Sequence, residues 1–371
     1  MESPRASHAG PARSYTPSTI SLGLAAAFVI AATWGSALPF EHRVIAQLAF
    51  PRAHLAWIGV GLLLIGIACW RRSPVPIRIA VLALLPSIVH QGLWIRPYTS
   101  LAQEQVPDAG SGDESRDPLR LLIANIYMEN DRREAYVDLV LQLRPDVLVT
   151  LEPNREWCDA LEGLAEVLPY SVTEPLDNTY GMDLRSRFEL VEPSIEYLVA
   201  EGVPSIHTGL RLGSGRVVNL HAVHPRPPAP DGAKEVANRD AELILVARRA
   251  RDSERPSIVA GDLNAVAWSP ATALFQDISG LLDPRVGRGF YSTWNVEWPL
   301  LRFPLDHVFV SRDFELARIE CVDVAGADHR GLLVDLRIDP AAREAPDATA
   351  AERSRAQETV EDGRDTSPSG E

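Results

Sequence analysis

Three long apolar runs stand out in the first part of the chain. Ile20–Phe40 contains 21 residues without a charge, which matches the about 20 residues that a helix needs to cross a bilayer. Ala53–Trp70 is a second run, and Ile79–Ile95 is a third, weaker run that contains Pro86. Because two further runs follow the first, a helical membrane anchor explains the pattern better than a cleaved signal peptide.

The pattern of apolar and polar residues divides the chain into five segments. The stretch after the third run is rich in Pro, Gly, Ser and acidic residues, which is typical of a flexible tether. The C-terminal stretch lacks any apolar periodicity and is predicted to be disordered. The predicted segments are an N-terminal segment (1–18), a three-helix transmembrane anchor (19–96), a flexible linker (97–118), a globular domain (119–339) and a disordered acidic tail (340–371).

The basic residues predict the orientation of the anchor. Arg5 and Arg13 precede the first run, and the second loop carries Arg71, Arg72 and Arg78. Basic loops stay in the cytoplasm, so the N-terminus and this loop are expected there. Three crossings would then place the globular domain outside the cytoplasm. If the third run only lies in the interface, the domain is cytoplasmic instead.

Within the globular domain, short apolar runs alternate with helical patterns, which predicts an α/β fold. Asp146–Leu151 is a buried-type strand that ends at Glu152, and Ser257–Ala260 ends at Gly261-Asp262. Ala233–Arg251 has the pattern of a long helix. Polar residues therefore recur at the ends of apolar strands, where a rigid sheet can direct them into one cleft.

Charge and cysteine content exclude several classes of protein. The whole chain has a net charge of −14, and the globular domain with 23 basic and 35 acidic residues carries most of it. A domain at −12 is not a general basic nucleic-acid binder. Cys69, Cys158 and Cys321 form no CxxC pair, which excludes a zinc ribbon and a disulfide scaffold. A single bridge between Cys158 and Cys321 stays open, although buried free thiols are the favoured interpretation.

The candidate chemistry lies in six short motifs of the globular domain. Each motif alone is weak, but together they supply carboxylates for a hard cation, amides for phosphate oxygens and imidazoles for proton transfer. In chain order they are LIANI (122–126), PDVLVTLE (145–152), VNLH (218–221), VAGDLN (259–264), LDHVFVS (305–311) and ADH (327–329).

This ordered set resembles the endonuclease/exonuclease/phosphatase superfamily, which includes DNase I-like nucleases, sphingomyelinases and inositol-phosphate phosphatases. The resemblance covers about residues 119–338, and GDLN and the final DH are its most specific parts. It implies an α/β (α+β) four-layer αββα sandwich of the DNase I-like type behind the all-α anchor. It also implies an attack of water on a phosphate ester or anhydride that depends on Mg²⁺, with Mn²⁺ as an alternative.

The resemblance assigns roles residue by residue. Whether Asp262 or His329 accepts the proton of water is left open. The sequence departs from the usual pattern at Leu151, at Leu220 and at Arg330-Gly331, where Arg330 is either a phosphate ligand or a surface arginine. The implied catalytic residues are Asp262, Asn264, His221, Asp306 and His329, the implied metal ligands are Glu152, Asn125 and Asp328, and the candidate substrate-binding residues are Arg330 and Trp294.

Three hypotheses follow for the function. The first is a multi-pass phosphohydrolase of the bacterial cell membrane that acts on a lipid-linked phosphate at the bilayer, since the layout resembles bacterial membrane phosphatases linked to teicoplanin resistance. A polyprenyl pyrophosphate is then the candidate substrate, and no stable nucleic-acid binding is expected. The second is a tethered nuclease or phosphodiesterase, and the third is a catalytically silent binding domain. The sequence leaves the oligomeric state open.

Overall fold

The computed structural model describes residues 16–36, 47–110, 117–227, 233–338 and 348–366, which fall into two compact units. The first unit contains the described residues up to 36 together with 51–95. The second contains 47–50 and everything described from residue 96 onward. Residues 47–50 therefore belong to the unit that holds the globular domain, although they precede part of the first unit in the chain.

The first unit consists of the helices Pro17–Gly35, Arg52–Ala68 and Val75–Ile95. The first helix begins at a capping box, in which Thr16 and Thr19 satisfy each other's backbone amides, and Pro17 follows at the first helical position. Gln91 links the three helices, because it accepts a hydrogen bond from Arg52 at 3.0 Å and donates one to Thr33 at 3.1 Å. Such buried polar links are one way in which apolar helices associate.

Two helices of the described chain are long and apolar enough to cross a membrane, namely Pro17–Gly35 and Val75–Tyr98. The sequence predicts three membrane-spanning helices, but the helix formed by the second apolar run, Arg52–Ala68, is shorter, with 17 residues. The run that looks weakest in the sequence thus forms one of the two longer helices, because it begins at Val75 and continues through Pro86.

The second unit contains two mixed β-sheets. The first sheet has the strand order β10-β11-β1-β2-β4-β3, and the second has the order β5-β6-β7-β8-β9. Only β1 with β2 and β7 with β8 pair in parallel, and the other pairs are antiparallel. The strands are β1 Pro118–Asn125, β2 Val147–Leu151, β3 Tyr170–Glu174, β4 Met182–Ser186, β5 Glu189–Glu196, β6 Ser205–Arg211, β7 Val217–Val223, β8 Ser257–Asp262, β9 Asp306–Val310, β10 Phe314–Asp323 and β11 Arg330–Ile338.

Alternation along the strands produces four layers. In β1, Leu121 and Ile123 face the core between the two sheets, while Leu122 and Ala124 face the helices Arg133–Leu143 and Arg155–Leu161. The second sheet is covered on its outer face by three more helices, Ala233–Arg251, Pro270–Ser279 and Ala350–Thr366. The two-sheet α/β fold expected from the sequence is therefore confirmed.

Two of the predicted segment types are wrong. The stretch predicted as a flexible linker packs on the domain as far as it is described. There Val106 is fully buried in the core, and Ala109 donates a backbone hydrogen bond to Leu316 at 2.8 Å. The stretch predicted as a disordered tail contains the helix Ala350–Thr366, whose Ala356 and Val360 are buried against the second sheet's helices. The buried face of this helix consists of small apolar residues among many charged ones, so the sequence shows no clear apolar periodicity there. Residues 111–116, 339–347 and 367–371 lie outside the described residues.

Candidate active site

The strand ends bring the polar residues of five motifs to one end of the sandwich. Asn125 is the last residue of β1 and Glu152 directly follows β2, which runs parallel to β1. Asp262 ends β8, and Asp306 opposite it begins the antiparallel strand β9. His329 directly precedes β11, which is antiparallel to β1 and so starts at the same end.

Two residues of the candidate site adopt strained backbone conformations. Glu152 has a φ of 68° and Asn264 has a φ of 50°, so both occupy the left-handed region that non-glycine residues rarely adopt. Gly261 beside them has a φ of 150°, and a Cβ at this position would overlap the carbonyl oxygen of Val223. The GDLN motif therefore needs its glycine for the close approach of β8 to β7.

Asp306, His329 and Asp262 form a row in which His329 is hydrogen-bonded to Asp306 and lies close to the carboxylate of Asp262. His329 Nδ1 lies 2.8 Å from Asp306 Oδ2, and its Nε2 lies 3.6 Å from Asp262 Oδ2. Burial alone would lower the pKa of His329, but the two carboxylates raise it to about 10. Burial raises the pKa of Asp262, an effect that His329 opposes. The row can thus hold a proton on His329 or on Asp262.

Asn125 connects this row to Glu152. Its Nδ2 donates to Glu152 Oε1 at 2.8 Å and to Asp262 Oδ2 at 3.3 Å. Glu152 Oε2 also accepts a hydrogen bond from the amide of Met128 at 3.3 Å. Burial raises the pKa of Glu152, and the hydrogen bonds from Asn125 and Met128 offset this effect only in part. A divalent cation would relieve this cost, and the carboxylate and amide oxygens are the donors that Mg²⁺ and Mn²⁺ prefer.

A second set of oxygen and nitrogen donors lies beside the first. Among the described residues, Asp262, Asp306 and His329 form a group whose ligand atoms lie within 4.8 Å of one another. Asp328 contributes another carboxylate at the pocket, where its Oδ2 accepts a hydrogen bond from Trp294 Nε1 at 3.0 Å. The residues present therefore fit a hard divalent cation.

These groups open into a pocket of about 420 Å³. Its wall combines polar groups with aromatic and aliphatic ones, and none of its described lining residues is Arg or Lys. The lining residues are Gln47, Phe50, Asn125, Glu152, Thr179, Tyr180, His224, Pro227, Asp262, Asn264, Trp294, Leu305, Asp328 and His329.

A family model for the endonuclease/exonuclease/phosphatase family matches residues 122–329, more than half of the chain and the whole stretch that forms this pocket's strand ends. The chain belongs to this family. Members of the family are typically hydrolases of phosphodiester bonds, and their fold generally works with a divalent metal. A comparison with curated proteins gives no match.

Solved structures of the family share the fold. TDP2 from D. rerio complexed with single strand DNA product aligns at a TM-score of 0.51 and 16% identity, over 59% of this chain and 98% of that one. The catalytic domain of human Nocturnin with bound sulfate aligns at a TM-score of 0.50 and 19% identity, over 60% and 95% of the respective chains. Identities this low establish the architecture of the domain and nothing about its substrate.

The fold brings together eight of the ten candidate site residues named from the sequence. The backbone amide of Asn264 donates to Asp262 at 2.9 Å, and its side chain donates to the carbonyl of Pro225 at 2.9 Å. Asp306 lies behind His329, fully buried, and does not itself line the pocket. The eight are Asn125, Glu152, Asp262, Asn264, Trp294, Asp306, Asp328 and His329.

His221 is the main correction to the sequence analysis. Its side chain faces the outer side of the second sheet, where Nδ1 lies 3.0 Å from Nδ1 of His207, and it lines a different cavity. The strand continues to Val223, and His224, the first residue after it, lines the catalytic pocket instead. His224 Nε2 lies 3.8 Å from Asp262 Oδ2, and burial lowers the pKa of His224 to about 4, so its ring is neutral.

Arg330 is the second correction. Its Nε donates to Asp323 at 2.8 Å and its Nη2 donates to the carbonyl of Cys321 at 2.9 Å. Both partners belong to β10, so the guanidinium is held along the sheet and does not line the pocket. The question of a bridge between Cys158 and Cys321 is also answered, since both are free thiols.

No sequence motif indicates the buried network that supports Asp306. Arg285 pairs with Asp283 at 2.7 Å, donates to the carbonyl of Asp306 at 3.2 Å and donates to His307 Nδ1 at 2.6 Å. His307 must then carry its proton on Nε2, which lies 2.8 Å from the carbonyl of Ala265. His307 is thus a structural residue of the strand, as expected for a side chain on the face opposite to Asp306.

Proposed function

We propose that the protein is a membrane-anchored, metal-dependent phosphohydrolase that acts on a lipid-linked phosphate or pyrophosphate. The observation that carries the proposal is the composition of the pocket. It combines Asn125, Glu152, Asp262, Asn264 and the two pocket histidines with an apolar wall, and its described lining residues include no Arg or Lys. Such a pocket suits one phosphate group next to an apolar substituent better than it suits a long polyanion.

The geometry supports a direct attack of water on phosphorus. Asp262 or His329 accepts a proton of the water, whose oxygen forms a new bond to phosphorus while the bond to the leaving oxygen breaks. The leaving oxygen then takes up a proton. Asn264 and neutral His224 lie where they can donate hydrogen bonds to the phosphoryl oxygens as charge develops on them.

A bound cation would neutralise charge on the phosphate and polarise it toward attack. Glu152 would hold this cation through a carboxylate oxygen, Asp328 offers a second oxygen at the same pocket, and Asn125 orients Glu152 through its side-chain amide. We propose Mg²⁺ as the physiological ion, with Mn²⁺ able to replace it, because all of these donors are hard oxygens.

The N-terminal helices support a location at a bacterial cell membrane. Two of them are long enough to cross a bilayer, and we propose that Arg52–Ala68 completes a three-span, multi-pass anchor. The arginines of the N-terminus and of the second loop favour the cytoplasmic side, so the catalytic domain is proposed to lie outside the cytoplasm.

A nuclease is the second candidate, because the structurally similar TDP2 from D. rerio was solved with a single strand DNA product. Two arginines that could form a basic strip are already paired, Arg133 with Glu156 and Arg249 with Glu196. Neither pair lines the catalytic pocket.

Phosphate release from undecaprenyl pyrophosphate tests the proposal. The full-length protein is assayed in detergent with Mg²⁺, beside plasmid nicking and hydrolysis of phospholipid head groups. Release that EDTA abolishes supports the lipid phosphatase. Nicking without release would identify a nuclease, and the absence of any turnover would favour a silent binding domain.

A further inference from the structure

The segment Gln47–Phe50 is part of the catalytic pocket although it lies in the sequence between two apolar helices. Gln47 and Phe50 both line the pocket. Trp268 of the globular domain holds the segment, since its Nε1 lies 2.9 Å from the carbonyl oxygen of Ala49 and 3.3 Å from that of Phe50. Ala49 is buried at this contact.

Trp268 is itself firmly placed. Its ring packs edge-on against Phe290 at 5.3 Å and against Tyr98 at 6.0 Å, and the hydroxyl of Tyr98 donates to the carbonyl of Ala267 at 2.6 Å. The two hydrogen bonds from Trp268 therefore fix the backbone of the segment on the domain and do not depend on the side chain of Phe50.

Aromatic rings connect Phe50 to the catalytic row. The ring of Phe50 packs edge-on against Phe303 at 5.6 Å, and Phe303 stacks on Trp294 at 6.2 Å. Trp294 lies 6.4 Å from the ring of His329 and donates to Asp328. A series of ring contacts thus connects Phe50, through Phe303 and Trp294, to the catalytic row, and Phe50 and Trp294 both line the pocket.

We propose that Phe50 is a specificity-determining residue that selects substrates with a hydrocarbon chain next to the phosphate. Its ring is only half-buried, so a chain that covers it would remove apolar surface from water. Pro51 and the apolar helix Arg52–Ala68 follow Phe50 in the sequence. This inference rests on the proposed function, because it assigns the apolar part of the same substrate.

The test compares two isoprenoid pyrophosphates, one with a long and one with a short hydrocarbon chain. Full-length wild type, Phe50→Ala and Phe50→Leu are assayed in detergent with farnesyl and with isopentenyl pyrophosphate. Phe50→Ala is expected to lower kcat/KM for the farnesyl substrate by about tenfold or more and to change that for the isopentenyl substrate by less than about twofold. Phe50→Leu keeps an apolar wall and should retain most of the preference.

Tyr170→Ala serves as the matched control, because Tyr170 is an exposed aromatic residue outside the pocket. Equal losses on both substrates, or no loss on either, would overturn the role of Phe50. If wild type hydrolyses neither substrate, the proposed function fails separately. Calorimetric binding of the two pyrophosphates then still tests Phe50, and an equal affinity of wild type and Phe50→Ala for farnesyl pyrophosphate would refute it.

Discussion

Two buried histidine clusters of the second unit show opposite chemistry. At the strand ends, His329 lies between Asp306 and Asp262, whose charges raise its pKa to about 10. On the outer face of the second sheet, His221 faces His207 across 3.0 Å, and burial lowers their pKa values to about 4 and about 3. The first cluster can hold and transfer a proton, whereas the second stays neutral. The neighbours of each histidine therefore decide its role: His329 lies between two carboxylates, whereas His221 lies beside another imidazole.

The largest effect is expected from Asp306→Asn. This change removes the charge that holds His329 in place at 2.8 Å and stabilises its protonated form. Turnover should fall by about 10²- to 10⁴-fold, the usual contribution of a positioned general acid or base. Initial rates with the best phosphate substrate measure it, with a circular dichroism spectrum as the check on folding. If Asp306→Asn keeps a third of the wild-type rate, the row of Asp306, His329 and Asp262 takes no part in the mechanism.

The next prediction compares His224→Gln with His221→Gln. The two histidines lie three positions apart in the sequence, but only His224 lines the catalytic pocket. We expect His224→Gln to lower kcat/KM by about tenfold to 100-fold and His221→Gln to lower it by less than about threefold. The reverse order of effects would restore the role that the sequence analysis gave to His221.

A smaller effect concerns stability and pH. Because the pKa values of His207 and His221 are lowered in the folded state, the unfolded chain binds more protons below about pH 6.5. Stability should therefore fall as the pH is lowered from about 6.5 toward about 4, because the unfolded chain takes up the protons that the two buried rings exclude. Thermal unfolding of the full-length protein across this range measures the slope. The double variant His207→Gln/His221→Gln should flatten it, and an unchanged slope would contradict the assignment.

The smallest effect is expected from Trp294→Phe. The change keeps an aromatic ring beside Phe303 and His329 but removes the donor to Asp328. One neutral-to-charged hydrogen bond is lost, and a fewfold rise in KM or in the metal concentration for half-maximal rate should follow. If kcat alone falls by more than about 100-fold, Trp294 takes part in the chemical step itself.

The sequence predicted the residues at strand ends well and those between elements poorly. Asn125, Glu152, Asp262 and Asp306 each stand next to an apolar run, and a sheet must bring such ends together. His221 is assigned from the family resemblance, as the histidine at the end of the predicted strand Val217–Leu220. The strand in fact extends to Val223, and His221 alternates with the core residues Leu220 and Ala222, so its ring lies on the outer face.

Long-range contacts explain what the sequence could not show. Phe50 and Tyr180 reach the pocket through loops, and no local pattern marks a loop that will fold over a distant site. The edge strands β3 and β5 also escaped prediction, because edge strands are largely exposed and lack a clear apolar run.

The most direct test of the account measures turnover by wild type, Asp262→Asn and His221→Gln in parallel preparations of the full-length protein. Undecaprenyl pyrophosphate with Mg²⁺ is the substrate, and phosphate release is the signal. The account predicts comparable release by wild type and His221→Gln and at least about a 100-fold loss in Asp262→Asn. Undiminished release by Asp262→Asn, or an inactive His221→Gln that is fully folded, would contradict it.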